Sequence, residues 1–114
     1  DPARPYARQS AGSVHHIAWR VTDDAAHEEW RNAVAERGLG TTEIIDRFYF
    51  HSIYFREPGG ILYEIATDNP GFTVDETLES LGSTLVLPPW FEPHRTKIEQ
   101  ALPPIEVPER NRTV

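Results

Sequence analysis

The sequence contains no cysteine. That absence excludes disulfide staples, thiolate nucleophiles and sulfur-rich metal sites, and it suits a reducing cytoplasm. Any metal must be held by nitrogen and oxygen. No apolar run approaches the roughly 18–20 residues of a membrane span, and the opening residues lack a basic stretch followed by an apolar one. A membrane partner is therefore not expected. Basic residues are few and scattered: 11 Lys and Arg face 18 Asp and Glu, for a net charge of -7. Such a surface repels phosphate backbones, so nucleic acid is not expected either. A starting Met is also missing. The polar opening Asp1-Pro2-Ala3-Arg4-Pro5 reads as part of an interdomain linker over residues 1–11, and the chain as a piece of a longer protein.

What is present suffices for one modest core, since 39% of the 114 residues are hydrophobic. Ser13 to Val21 carries β-branched and aromatic residues after Gly12 and reads as a strand. Alternation puts His15, Ile17, Trp19 and Val21 on one face, and His16, Ala18 and Arg20 on the other. Thr22, Asp23 and Asp24 then offer capping oxygens for a helix to about Arg37, stopped by Gly38. Its expected buried stripe is Ala26, Trp30, Ala33 and Val34, with His27, Glu28, Glu29 and Arg31 in water.

Two strands are expected over Thr42–Phe48 and Phe50–Arg56, with the aromatic run Phe48-Tyr49-Phe50 hiding the turn between them. Pro58-Gly59 signals a type II turn. Ile61–Thr67 reads as a fourth strand, with Leu62, Glu64 and Ala66 facing one way and Ile61, Tyr63 and Ile65 the other. The fold class is therefore α+β, a single βαβββ module over residues 12–68. Residues 69–114 form a C-terminal extension with short helices, expected near Asp75–Leu81 and Glu92–Leu102, and fraying from about Glu106. A lone βαβββ unit covers one sheet face with its helix. The other face must meet a second module, a homodimer partner or a ligand.

Glu64 is the most informative residue, because an unpaired carboxylate in the middle of an apolar strand is costly. His16 is a credible partner if the first and fourth strands are neighbours. A neutral imidazole and a carboxylate converging on one point make a partial metal site; a hydrogen bond across the sheet is the competing structural reading.

The runs Val14-His15-His16-Ile17-Ala18-Trp19-Arg20-Val21 and Phe50 to Asp68, the latter including Tyr54-Phe55-Arg56-Glu57-Pro58-Gly59-Gly60 and Leu62-Tyr63-Glu64, resemble the last module of the vicinal-oxygen-chelate superfamily. More narrowly, they resemble its ring-cleaving dioxygenase branch, close to hydroquinone 1,2-dioxygenases. The resemblance spans about residues 12 to 105. It implies His16 and Glu64 as metal ligands, with His15 as the alternative if the strand slips by one residue. It implies Fe(II) or Mn(II), with a third protein ligand from a module absent in this chain. Tyr54 stands ten positions before Glu64, where family members place a Tyr that bonds a substrate oxygen; otherwise it is one more half-buried strand aromatic. Arg47 matches an Arg that reaches the site in the hydroquinone-cleaving branch; otherwise it is a strand Arg paired with Asp46 or Glu43.

The implied reaction is extradiol-type cleavage of a small hydroquinone- or catechol-like aromatic by O₂. Two rivals share the fold: a glyoxalase-type isomerase or lyase with four protein ligands, and a metal-free aromatic-binding module of the bleomycin-resistance kind. His51 is expected to be a packed or rim residue, His27 and His94 to be solvated, Trp19 and Trp30 to lie in the core, and Trp90 to anchor the tail.

Overall fold

A computed structural model describes residues 9–105, which fall into two compact units dividing between Gly71 and Phe72. The expected linker lies mostly outside the described residues, and the segment from Glu106 wholly so. In the first unit β1 (Ile17–Arg20) leads to α1 (Asp24–Glu36), followed by β2 (Ile45–Asp46), β3 (His51–Arg56) and β4 (Leu62–Ala66). The strands form one sheet in the order β1-β4-β3-β2. Only β1 and β4 pair in parallel; the α1 crossover carries the chain to β2 at the far edge, and the antiparallel β2, β3 and β4 then return to β1. This is a βαβββ module.

Local chemistry sets the element ends. The Asp23 side chain accepts a hydrogen bond from Ala26 N at 2.8 Å and caps α1, which ends where Gly38 takes φ +73°. Between β3 and β4 the positive φ falls on Gly60 (+93°) and not on Gly59. The turn is therefore not type II. Gly60 N bonds Glu57 O at 2.8 Å, and the Glu57 carboxylate accepts from both Gly59 N and Ile61 N at 2.8 Å. Those backbone bonds, Ile61 first, hold the Glu57 carboxyl below its ordinary range.

The core under α1 is small: Val21, Val34, Ile53 and Ile65, with Ala26, Leu39 and Phe55 packed against it. The buried stripe of α1 is turned by one residue from the expected one. His27 is fully buried, and Trp30 is 54% exposed. The reason is tertiary: the His27 ring reaches the sheet, its Nε2–H donating to Ile65 O at 2.8 Å, while Nδ1 has no partner among the described residues. Arg31 follows His27 on that side, bonding Thr42 O at 3.2 Å and Glu43 Oε1 at 2.6 Å. Trp19 is also outside the core, 55% exposed on the edge strand, its ring edge-on to Tyr63.

At the start of α1, Asp24 accepts from His51 Nδ1 at 2.8 Å and from Asn69 Nδ2 at 3.2 Å, tying the helix to β3 and to the segment after β4. His51 is thus a rim residue, as alternation implied. Among the described residues no helix is long and apolar enough to cross a membrane.

The second unit carries 3-10 turns at Phe72–Val74 and Glu92–His94 and a short helix, α2 (Arg95–Ala101). No helix forms at 75–81. There the Ser80 and Ser83 hydroxyls bond Thr77 O and Ser80 O, and such local bonds compete with helix propagation. The Arg95 guanidinium is shared between Glu92 and Glu99. His94 is exposed, and Trp90 is 47% exposed with its ring tilted against Phe91.

Replacing His27 by Ala removes a buried ring and leaves Ile65 O without its donor. Urea denaturation is expected to show a loss of about 2–4 kcal/mol; a loss below the error of the method would mean the ring is not buried as described. Asp24 gives a pH signature. Its carboxyl is held below the ordinary 3.8, first by the His51 hydrogen bond and then by Asn69. A depressed carboxylate contributes stability above its unfolded pKa and loses it as pH falls through the folded one. The stability gap between the parent and Asp24→Asn should therefore be full above pH 3.8 and close below it. A gap independent of pH would remove the clasp.

Candidate functional site

The face of the sheet opposite α1 carries the even-numbered residues of β3 and β4. The antiparallel register sets Tyr54 beside Glu64 and Ser52 beside Ala66, while the parallel register sets Ala18 beside Glu64. Ala18 leaves room at that point. His16, two residues earlier and just before β1, shares the face, so a loop residue and a strand centre converge.

Glu64 is only 4% exposed, yet both carboxylate oxygens are satisfied. Oε2 lies 2.8 Å from His16 Nε2, and Oε1 accepts from the Tyr54 hydroxyl at 2.9 Å. Two bonds of this kind offset much of the cost of burying the charge. His15 does not contact Glu64; its Nδ1 lies 2.9 Å from His16 Nδ1. Once His16 Nε2–H points at Glu64, a neutral ring accepts at Nδ1, so His15 is the donor of that pair.

Tyr54 is fixed at both ends. Thr42 bonds its backbone twice, through Oγ1 to Tyr54 N and through its own N to Tyr54 O, each at 3.0 Å. Above the ring stands the Arg47 guanidinium, 5.2 Å from the centroid, a cation–π arrangement. Neither alternative partner of Arg47 is waiting for it: Glu43 is held by Arg31, and Asp46 Oδ1 accepts from Phe48 N at 2.7 Å. Arg47 lies in the tight turn between β2 and β3, closed by its N bonding Phe50 O at 2.9 Å. Phe48 in that turn takes φ +72°, an uncommon conformation for a bulky residue and a point of backbone strain beside the site.

The structure thus brings His16, Glu64, Tyr54 and Arg47 into one cluster. It adds one residue that sequence reasoning passed over. Ser52 is fully buried, and its Oγ lies 3.2 Å from the Tyr54 hydroxyl. The available signal was parity, since Ser52 and Tyr54 share a face. His51 and His27 point to the helix side and take no part.

As a metal site the cluster is partial. Among the described residues no group of three or more His, Asp or Glu could hold an ion. The two donors present do fit one: a nitrogen and an oxygen 2.8 Å apart, close to the roughly 3 Å between neighbouring ligands at right angles with bonds of about 2.1 Å. Binding requires the His16 proton to leave Nε2 for Nδ1, which makes His15 Nδ1 the acceptor of the contact between the two rings.

In the metal-free chain, Tyr54→Phe removes the donor on Glu64 Oε1 and leaves that oxygen buried. A destabilisation of about 1–3 kcal/mol is expected from denaturant titration. Equal stability of the two proteins would mean that the phenol–carboxylate bond is absent in solution.

No family model matches the chain. Over 102 residues, 90% of the chain, it is 56% identical to MhqO of Bacillus subtilis strain 168, a protein provisionally named a ring-cleaving dioxygenase; the match covers 33% of that protein. Over 84 residues it is 44% identical to the chlorohydroquinone/hydroquinone 1,2-dioxygenase of Sphingobium indicum, covering 71% of the chain and 25% of the relative. A crystal structure of a Bacillus subtilis protein provisionally named a dioxygenase superposes with a TM-score of 0.82 at 55% identity, over 93% of this chain and 35% of that one. Over most of its length the chain is similar to one segment of proteins named as ring-cleaving dioxygenases, and it spans a quarter to a third of the length of these relatives.

Proposed function

We propose that this chain is the metal-binding portion of an extradiol-type dioxygenase that cleaves hydroquinone- or catechol-like aromatics with O₂. The observation that carries the reading is the buried Glu64 carboxylate meeting His16 Nε2 at 2.8 Å on the face of the sheet that α1 does not cover. The names of the relatives at 56% and 44% identity support a ring-cleaving reaction.

In this reading His16 and Glu64 hold Fe(II) or Mn(II), and the third protein ligand comes from another module, whether in the same polypeptide or in a partner. The metal, when bound, supplies a Lewis-acidic centre with open positions for a substrate oxygen and O₂. The remaining work falls to the chain's own side chains. Once Glu64 turns its lone pairs to a metal, the Tyr54 hydroxyl is free to donate to a substrate oxygen. The Arg47 guanidinium above the Tyr54 ring favours a phenolate and any negative charge that develops on oxygen beside it. The His15 ring holds His16 from behind, fixing the direction of Nε2. The lack of cysteine supports a reducing, cytoplasmic setting.

The test uses the full-length protein loaded with Fe(II) without oxygen. Metal analysis should find bound iron in the parent, and the His16→Ala, Glu64→Ala double variant should lose at least about tenfold in affinity. Unchanged stoichiometric binding in that variant would remove the site. Oxygen uptake on a panel of hydroquinones and catechols then tests the reaction, and an iron-loaded parent that consumes none would reject the dioxygenase reading.

A further inference from the structure

We propose that Ser52 is a positioning residue that commits the Tyr54 hydroxyl to donate into the site. The inference rests on the functional reading above for its catalytic consequence, and on proton counting for its structural one.

Ser52 stands near the start of β3 and is fully buried. A strand position closed to water is ordinarily filled by Val or Ile, because a buried hydroxyl must find a partner. Here the partner is Tyr54 Oη at 3.2 Å, reached because residues two apart on a strand share a face. Two hydroxyls can bond in either direction, but this pair has a third member. Tyr54 Oη also lies 2.9 Å from Glu64 Oε1, and an ionised carboxylate only accepts. The phenol has one proton, and the carboxylate takes it. The Ser52 proton must therefore go to Tyr54 Oη.

This order has a chemical result. With its lone pair engaged by Ser52, the Tyr54 oxygen can direct its own proton only away from Ser52, towards Glu64 and the open face. When Glu64 binds a metal instead, the next acceptor on that face is a substrate oxygen. The accepted bond also polarises the phenol and strengthens it as a donor. Arg47 above the ring and Thr42 on the backbone place Tyr54 without setting the rotation of its hydroxyl. Ser52 sets it.

The test compares Ser52→Ala and Ser52→Thr in the full-length protein, each alone and combined with Tyr54→Phe. The first readout is independent of activity: the Raman Fermi doublet of Tyr54 in metal-free protein, isolated as the difference from Tyr54→Phe. The parent should show a phenol that both donates and accepts, Ser52→Ala a donor only, and Ser52→Thr, which keeps a hydroxyl, the parent pattern. The second readout is oxygen uptake by iron-loaded enzyme. Ser52→Ala should lower kcat about tenfold, the worth of one hydrogen bond, and should lower it no further in the Tyr54→Phe background. An unchanged doublet in Ser52→Ala, or an equal loss of kcat in both backgrounds, overturns the proposal. If the parent takes up no oxygen the dioxygenase reading fails on its own, and the doublet still decides whether Ser52 orders the Tyr54 hydroxyl.

Discussion

A carboxylate buried in the centre of a strand organises this chain. Glu64 could have been avoided by any apolar residue, and its retention at 4% exposure obliges other elements to serve it. β3 must run beside β4 in the register that sets Tyr54 against it, and the segment before β1 must bring an imidazole to its second oxygen. Thr42 in turn must hold Tyr54. One buried charge therefore accounts for the placement of residues from three other stretches of sequence.

The helix side of the sheet obeys different physics. There Ile53, Ile65, Val21 and Val34 are held by packing, and the polar groups present act as ties between elements. His27 bonds a strand carbonyl from within α1, and Asp24 gathers His51 and Asn69 at the helix start. These ties fix where the helix lies on the sheet. The opposite face is held instead by the bonds among His16, Glu64 and Tyr54, so the two faces are fixed by different means.

What the sequence made legible follows the same division. The βαβββ order, the capping of α1 by Asp23 and its stop at Gly38 could be read because each depends on near neighbours. Glu64 could be read because a charge among Tyr63 and Ile65 contradicts its surroundings. The rotation of α1 about its axis could not, since Trp30 is the more apolar choice and only the carbonyl of Ile65, far along the chain, selects His27 in its place. The turn at 47–50 was obscured by three aromatics and by a positive φ at Phe48, a conformation no aromatic residue advertises. Ser52 was missed because a serine in a strand is unremarkable until its burial and its neighbour are both known.

The alternation of β3 has a consequence for how such a chain can vary. Ser52 and Tyr54 look to the site, and Ile53 and Phe55 to the helix, with no residue between the two duties. Inserting or deleting one residue within the strand would send the phenol into the core and an isoleucine against the carboxylate in a single step. Length changes are tolerable only in the turns at 47–50 and 57–61, and the first of these carries Arg47. The guanidinium can thus shift in reach and orientation while the phenol and carboxylate stay locked in step, so the loop can vary where the sheet cannot.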